Sequence, residues 1–348
     1  MLRGVLRDLQ YRRRRFAIAI IGASLVFALS LATAGLAASF DAEIDATQTA
    51  IGATHWFVAD AAAGPFTSLN PIAPADAAAL AEGDTKASNL LLVRQPVGRT
   101  VIRKDVQIVG AEPGSLGSPT KGELTRGRSV QRDGEVVVSD KLDTAPGGKI
   151  RVADTDLAVV GTTSATLLGG APVVFTTLTD ARSLLGAGDL TTAVVTATAP
   201  ANVPTAVREM SPAQVHEATL LPLNDAVGTI AMMRTMLWLV AALIVGSILY
   251  LNATERTRDV AVFKAIGVST GSIVGSMMLQ AMVVAVIAAV IADGLALLIG
   301  PLFPMRSIIT VASLLLMPVI AVVIALISSL AGIRRAVTVS PAVAFGGP

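Results

Sequence analysis

Residues 255–273 read ERTRDVAVFKAIGVSTGSI, a charged segment about one short helix long between two strongly apolar stretches. Residues 235–251 before it and 265–292, which begin inside it, carry no charged side chain. A helix needs about 20 predominantly apolar residues to cross the core of a bilayer. We therefore expect the chain to leave the membrane before this segment and to cross it again afterwards.

Composition supports a membrane protein with one large external domain. Hydrophobic residues make up 53% of the 348 and charged residues only 15%, with a mean hydropathy of +0.68. Residues 39–230 carry 14 Lys and Arg against 21 Asp and Glu, whereas the rest carries 13 against 4. Basic ends and loops around an acidic middle follow the positive-inside bias. The pI of about 9.1 is thereby explained without a nucleic-acid partner.

The first membrane segment is predicted from the N-terminus. Residues 1–15 hold six arginines with leucines at helical spacing, which predicts an amphipathic helix on the inner face, against anionic lipid headgroups. Residues 16–40 are uncharged and form the predicted first span. The apolar core of a cleaved signal peptide is only about 7–15 residues long, so we expect this span to be retained.

Residues 41–228 predict an α+β domain outside the cytoplasm. Short runs rich in Val and Thr alternate with Gly, Pro and Asp, which is typical of strands and turns. We expect a mobile excursion over 111–134 and a return to helix over 202–227. The predicted strands cover 55–59, 90–93, 100–102, 106–109, 135–139, 150–152, 157–160, 173–176 and 193–196, and the predicted helices cover 73–81 and 178–185.

Three further spans complete a predicted total of four transmembrane helices. The second covers 229–251, with Arg234 near its outer end and Trp238 and Tyr250 near its two ends, as interfacial aromatics prefer. Pro318 lies inside the fourth span and is expected to kink it. The third and fourth spans cover 272–300 and 307–333, and the 252–271 connection, the 334–348 tail and the N-terminus are expected on the cytoplasmic side.

Catalytic constellations are missing from the sequence. There is no Cys, the two histidines are His55 and His216, and no phosphate-binding P-loop motif occurs. Residues 267–271, GVSTG, match the G-x-S-x-G nucleophile pattern, but that motif needs a strand-to-helix elbow beside a His and an acid. We expect instead that Gly267 ends one helix and that Ser269 or Thr270 caps the next. The chain is thus predicted to be no enzyme and to hold no metal or cofactor.

Asp293 has two interpretations. A carboxylate within a span is a functional candidate by default, as an ion relay or substrate contact. Its depth also suits the outer interface, where Arg306 or Arg234 could pair with it. Gly271 and Gly275 form a G-x-x-x-G pattern that permits close helix approach, a weak signal in a chain rich in small residues.

The charged segment itself leaves two interpretations open. Glu255 can pair with Arg258 at i, i+3, and Val262, Phe263 and Ile266 share one side of a helix. Asp259 interrupts that apolar side. The segment is either a solvated basic loop or a short helix that docks in a groove of a cytoplasmic partner.

The segment resembles the signature of the FtsX/MacB-like permease family, the membrane subunits of type VII ABC transporters. In that family an E-R-x-x-E-[IV]-A-[VL]-x-[KR]-A-[LI]-G-A-S stretch joins the second and third spans. Asp259 stands for the usual Glu and Val268 for the usual Ala. The Arg-rich start, EVVVSD at 135–140, PVVFTTL at 172–178 and the Arg-Arg…SPAVAF ending also resemble the family in order; Phe345 replaces the usual Leu.

The resemblance implies a homodimeric permease in the cell membrane, bound to two separately encoded ATPase subunits that hold ATP and Mg. ATP-driven closure of those subunits would move the 252–271 helix and, through the spans, the external domain; this is mechanotransmission. An external protein partner is also possible for the domain. Two alternatives are a transporter of amino acids, lipids or drugs and a signalling scaffold without an ATPase. The residues expected to couple are Glu255, Arg256, Arg258, Asp259, Phe263, Lys264, Ile266 and Gly267.

Overall fold

A computed structural model describes residues 13–67, 69–97, 104–152, 155–167, 170–186, 188–255, 257–300 and 308–338. Most of the predicted N-terminal helix, the predicted strand at 100–102, Arg256, Arg306 and the tail from 339 onward lie outside the described residues. The chain divides into two compact units, one of them Ser39–Asp225 and the other the parts before Ser39 and after Asp225.

The helices and strands follow the predicted order of one apolar helix, a mixed domain and further apolar helices. In chain order they are α1 (Arg13–Ile51), β1 (His55–Ala59), α2 (Pro74–Ala81), β2 (Ser88–Val97), β3 (Lys104–Ala111), β4 (Leu124–Gly127), β5 (Glu135–Ser139), β6 (Lys149–Val152), β7 (Thr155–Thr163), β8 (Thr166–Leu167), β9 (Ala171–Thr177), α3 (Leu178–Leu185), β10 (Ala193–Thr196), β11 (Val207–Met210), α4 (Pro212–Leu220), α5 (Asn224–Glu255), α6 (Thr257–Ala265), α7 (Thr270–Ile299) and α8 (Val311–Thr338).

Four segments within the described residues are long and apolar enough to cross a membrane: Phe16–Ile51, Pro212–Glu255, Thr270–Ile299 and Val311–Leu330. The four predicted spans are confirmed as candidates, and an α+β domain stands between the first and the second. Helix α1 continues past the predicted end at residue 40, because Ile44 and Ile51 lie seven residues apart and are both buried. It ends where Gly52 adopts a φ of 71°.

Alanines bring the membrane helices together. The buried cluster of this unit takes Ala281, Ala285, Ala288, Ala292 and their neighbours from α7, and it also includes residues of α1, α5 and α8. Small side chains let helix backbones approach closely where the hydrophobic effect supplies little attraction. Gly271 and Gly275 do not serve this purpose, since no described atom lies within 4 Å of a Cβ placed at either one. Within the described chain the G-x-x-x-G pattern therefore forms no close helix contact.

One mixed sheet organises the other unit. Its strands run in the order β11-β1-β10-β2-β3-β9-β5-β7-β4, with β6 beside β2 and β7, and β8 beside β9. Most neighbours are antiparallel, but β3 with β9 and β5 with β7 are parallel. The α+β class predicted for residues 41–228 is therefore confirmed.

The side chains of β2 and β3 alternate between two cores. Leu90 and Leu92 join a cluster with Ile44 of α1 and Val215 of α4, whereas Leu91 and Val93 join a cluster with residues of α3. Successive residues of a strand point to opposite faces, so a strand covered on both sides is apolar throughout.

The sequence-based prediction is wrong in two segments. Residues 202–227 were expected to be helical, but β11 precedes α4 because Val207 and Met210 bury against the domain and β11 pairs with β1. The expected excursion over 111–134 contains a 3₁₀ turn, Lys121–Glu123, and strand β4, which pairs with β7. Both strands are only four residues long, so periodicity gives almost no signal.

Candidate functional site

Helix α6 fills the connection between the second and third apolar helices. Val260 and Ala261 are buried on one side, at 7% and 0% exposure. Val262, Phe263 and Ile266 are exposed at 43%, 49% and 70%. The nine-residue helix thus packs through Val260 and Ala261, while Val262 and Phe263 on the helix and Ile266 directly after it are exposed.

The C-terminus of α6 is fixed by a Schellman motif. The N–H of Gly267 donates to the carbonyl of Lys264 at 3.1 Å, and the N–H of Val268 donates to that of Phe263 at 2.9 Å. Gly267 has a φ of 90°, in the left-handed region that such a cap requires. The prediction that Gly267 ends the helix is confirmed.

Ser269 begins the next helix directly after that turn. Its Oγ accepts a hydrogen bond from the N–H of Ser272 at 3.3 Å, and its backbone is extended, as expected of an N-cap. The prediction of a cap is confirmed for Ser269. The capped C-terminus of α6 and the capped N-terminus of α7 are only a few residues apart, so together they define the direction in which α7 continues from α6.

The charged residues expected at this site are only partly described. Glu255 is the last residue of α5 and is exposed, and Lys264 is half-buried on α6. Arg256 lies outside the described residues, as do the side chains of Arg258 and Asp259. The predicted pair between Glu255 and Arg258 therefore stays a prediction.

Arg234 and Asp293 do not come together. The guanidinium of Arg234 lies 5.4 Å from the ring centroid of Trp238, whose Nε1 donates to Ser30 Oγ at 2.9 Å. The Oδ1 atom of Asp293 is buried and has no hydrogen-bond partner among the described residues. The expected alternative of an Asp293–Arg234 pair is wrong, and Arg306 lies outside the description.

A cavity of about 760 Å³ lies between α5 and α8, and it does not involve either of those charges. Leu239, Leu243, Tyr250 and Ile327 contribute to its lining, with the small residue Gly246 between them. Neither Arg234 nor Asp293 is among its lining residues. This cavity is therefore not a lateral path lined by Arg234 or Asp293.

Sequence reasoning missed the contacts that hold the end of α1 to α4. His216 Nε2 lies 3.0 Å from Asp41 Oδ1, and its Nδ1 lies 3.0 Å from Asp45 Oδ1. Gln48 Nε2 donates to the carbonyl of Pro212 at 3.2 Å. Asp41 and Asp45 are one turn apart on α1, and this i, i+4 spacing was the only available signal.

Strand β8 and the residue before β9 hold the same helix from the other side. The carboxylate of Glu43 accepts from the N–H of Gly170 at 2.8 Å, and Thr47 Oγ1 donates to the carbonyl of Thr166 at 3.0 Å. Glu43 and Thr47 are buried. The last three turns of α1 are thus bonded to two separate elements within the same compact unit.

The comparison with known protein families agrees with this architecture. Four apolar helices with one α+β unit inserted after the first define a multi-pass membrane protein with a large extramembrane domain. Residues 17–213 match the MacB-like periplasmic core domain, and residues 231–341 match the FtsX-like permease C-terminal family. The ABC transporter permeases Rv2563 and Rv0072 of Mycobacterium tuberculosis are each 38% identical over 352 residues, with the whole of both chains covered.

The chain belongs to the FtsX/MacB-type family of ABC transporter permeases. The resemblance inferred from the 255–269 signature is thereby confirmed. It is a multi-pass protein of the cell membrane and, as a permease subunit, serves a transporter whose ATP hydrolysis belongs to a partner ATPase.

Two solved extramembrane domains are similar to part of the chain. The match with the extracellular domain of the transporter YknZ from Gram-positive bacteria covers 50% of this chain and 94% of that domain, at 14% identity and a TM-score of 0.31. The match with the periplasmic region of MacB from Actinobacillus actinomycetemcomitans covers 49% of this chain and 94% of that region, at 8% identity and a TM-score of 0.35. Both scores are below 0.5, so the family assignment rests on the sequence matches.

Proposed function

We propose that this permease couples ATP hydrolysis by a separate ATPase subunit to movement of its external domain. The observation that carries the proposal is the exposed apolar side of α6, formed by Val262, Phe263 and Ile266. Three exposed apolar side chains on and directly after a short helix with a capped C-terminus suit insertion into a groove of a partner. The charged residues at the start of the segment, from Glu255 to Asp259, would set the register in which α6 docks.

The course of α1 supports transmission of movement to the domain. The helix is unbroken from Arg13 to Ile51, and its last turns are bonded to the β8–β9 region and to α4. A continuous helix held at its end moves as a rigid element and carries a displacement along its length. α4 in turn leads through the 3₁₀ turn Leu221–Leu223 to α5, which contains the second span.

The assembly that we propose contains two copies of the permease and two copies of the ATPase, which binds ATP and Mg. The N-terminal arginines contact anionic lipids, both termini and α6 face the cytoplasm, and the external domain is available to a protein partner. A scaffold without an ATPase has no support once the family is known. Transport of a small molecule needs a ligand site. The described residues that line the α5–α8 cavity include no charged side chain for such a site.

The first test introduces a charge into the exposed side of α6. Phe263→Asp places a carboxylate where an apolar side chain would be desolvated on docking, so we expect ATPase turnover stimulated by the permease to fall about tenfold or more. The measurement compares co-purification and ATP hydrolysis of the nanodisc complex. Val203→Asp is the matched control, because Val203 is exposed at 39% in the external domain and should tolerate the change.

A backbone variant tests the same coupling without adding charge. Gly267→Pro removes the N–H that bonds to Lys264 and cannot adopt a φ of 90°, so α6 should lose its defined direction. Gly267→Asn keeps the N–H and tolerates the left-handed region, and it should retain stimulation. Undiminished complex formation and stimulation in both Phe263→Asp and Gly267→Pro would show that α6 is not the coupling element.

A further inference from the structure

A cavity of about 430 Å³ lies in the external domain beside the β2–β3 ladder. This volume is within the range of about 300–1,000 Å³ that is usual for small-molecule sites. Phe66, Leu69 and Leu92 supply apolar walls, and Arg94 and Gln107 also line the cavity. The cavity therefore combines apolar walls with two polar side chains, Arg94 and Gln107.

Arg94 and Gln107 are brought together by strand register. They are directly opposite each other in the antiparallel pairing of β2 with β3. Opposed residues point to the same face, with Cβ atoms about 4.5–5.5 Å apart. By alternation this is the face of Leu92 and Val109, so the two polar side chains continue an otherwise apolar surface.

Gln107 and Arg94 differ in how far they are exposed at the cavity. Gln107 is 2% exposed, whereas Arg94 is exposed, and both side chains line the cavity. None of the ion pairs between described residues involves Arg94. A ligand that accepts hydrogen bonds from both side chains would use the donors that they present to the cavity.

We propose that this cavity binds an aliphatic carboxylate of the fatty-acid class. The guanidinium fork of Arg94 and the amide N–H of Gln107 both donate, which matches the acceptor-only oxygens of a carboxylate. Phe66, Leu69 and Leu92 would cover the hydrocarbon chain. None of the described lining residues is Asp or Glu, so the ammonium of an amino acid or of a cationic drug would lack a counter-charge among them.

The test is a titration of the full-length permease in nanodiscs with octanoate, in the absence of any ATPase. The chain has two Trp, and Trp238→Phe leaves Trp56, whose ring lies 5.8 Å from that of Phe66, as the fluorescent reporter. Carboxyl-labelled [1-¹³C]octanoate gives a second signal by NMR, and empty nanodiscs give the background from lipid partitioning. We expect saturable binding of octanoate, with octanol and octylammonium at least about tenfold weaker.

Three variants connect binding to the proposed contacts. Arg94→Gln should weaken octanoate binding about tenfold and leave octanol unchanged, and Gln107→Leu should weaken octanoate less. Arg126→Gln removes another exposed strand arginine of the same domain and should bind octanoate normally. Equal binding of octanoate and octanol, or an unchanged octanoate affinity in Arg94→Gln, would overturn the proposal. Because no ATPase is present, either result is independent of the coupling function.

Discussion

Glu135 accepts four hydrogen bonds although its side chain is almost wholly buried. Arg128 donates from Nη1 and Nη2 at 2.7 and 2.6 Å, Arg132 Nε donates at 2.8 Å, and the N–H of Gln131 donates at 3.1 Å. Bonding chiefly to Arg128 lowers the pKa of Glu135 to about 2, and the same bonds raise the pKa of Arg128. The carboxylate therefore fixes the 128–135 loop to the start of β5.

This pKa makes domain stability depend on pH in a defined direction. A carboxyl group whose pKa is lower in the folded state stabilises the fold above its unfolded pKa of about 4.3 and loses that contribution as the pH falls toward about 2. Glu135→Gln should lower the unfolding free energy of the domain at pH 7 by about 1–3 kcal/mol, and the gap to the parent should narrow at pH 3.

Urea unfolding followed by Trp56 fluorescence, in the Trp238→Phe background, measures both quantities. Trp56 is completely buried in the core of the domain and should change its emission on unfolding. Glu82→Gln is the control, since Glu82 is exposed and should shift stability little. A gap between parent and Glu135→Gln that stays constant from pH 7 to pH 3 would exclude this role.

At the scale of the element, the end of α1 is held by side chains far apart in sequence. His216 bridges Asp41 and Asp45, so its imidazole joins α4 to two turns of α1. Both ring nitrogens can donate at once only in the imidazolium form. The contact is partly exposed, and a moderate energy is expected because solvent screens the charges.

A double-mutant cycle isolates that contact. His216→Ala and Asp45→Ala should each destabilise the domain, and together they should cost less than their sum by about 0.5–1 kcal/mol. The same urea titration supplies the four free energies. The pair His55→Ala and Asp45→Ala is the control and should be additive, since His55 bonds instead to Glu209. Additivity in the His216 cycle would mean that the bridge does not hold the two helices.

Local rules predicted the elements that local chemistry decides. Gly267 and Ser269 end and begin helices by capping preferences that operate within a few residues, and both were predicted correctly. The opposed pair Arg94 and Gln107 depends on a strand register between separate segments, and the His216 contacts join residues more than 170 positions apart. Such contacts between distant residues follow from tertiary packing, and the periodicity of a short stretch of sequence cannot predict them.

At the scale of the whole molecule, charge predicts the orientation in the membrane. The segment 39–230 is acidic, whereas the rest of the chain has an excess of nine basic residues, 13 against 4. The positive-inside bias then predicts that α6 and both termini lie in the cytoplasm and the α+β unit outside. The proposed coupling requires this arrangement, because the ATPase is cytoplasmic.

The lack of cysteine makes the orientation directly testable. Val203→Cys and Ile266→Cys place single thiols at exposed positions, one in the α+β unit and the other at the end of α6. With the permease expressed without an ATPase, a membrane-impermeant maleimide should label Val203→Cys in intact spheroplasts and Ile266→Cys only after permeabilisation. The cysteine-free parent gives the background. If Ile266→Cys were labelled in intact spheroplasts and Val203→Cys only after permeabilisation, the topology would be the reverse of the predicted one. α6 would then lie outside the cytoplasm and could not meet a cytoplasmic ATPase, despite its exposed apolar side chains.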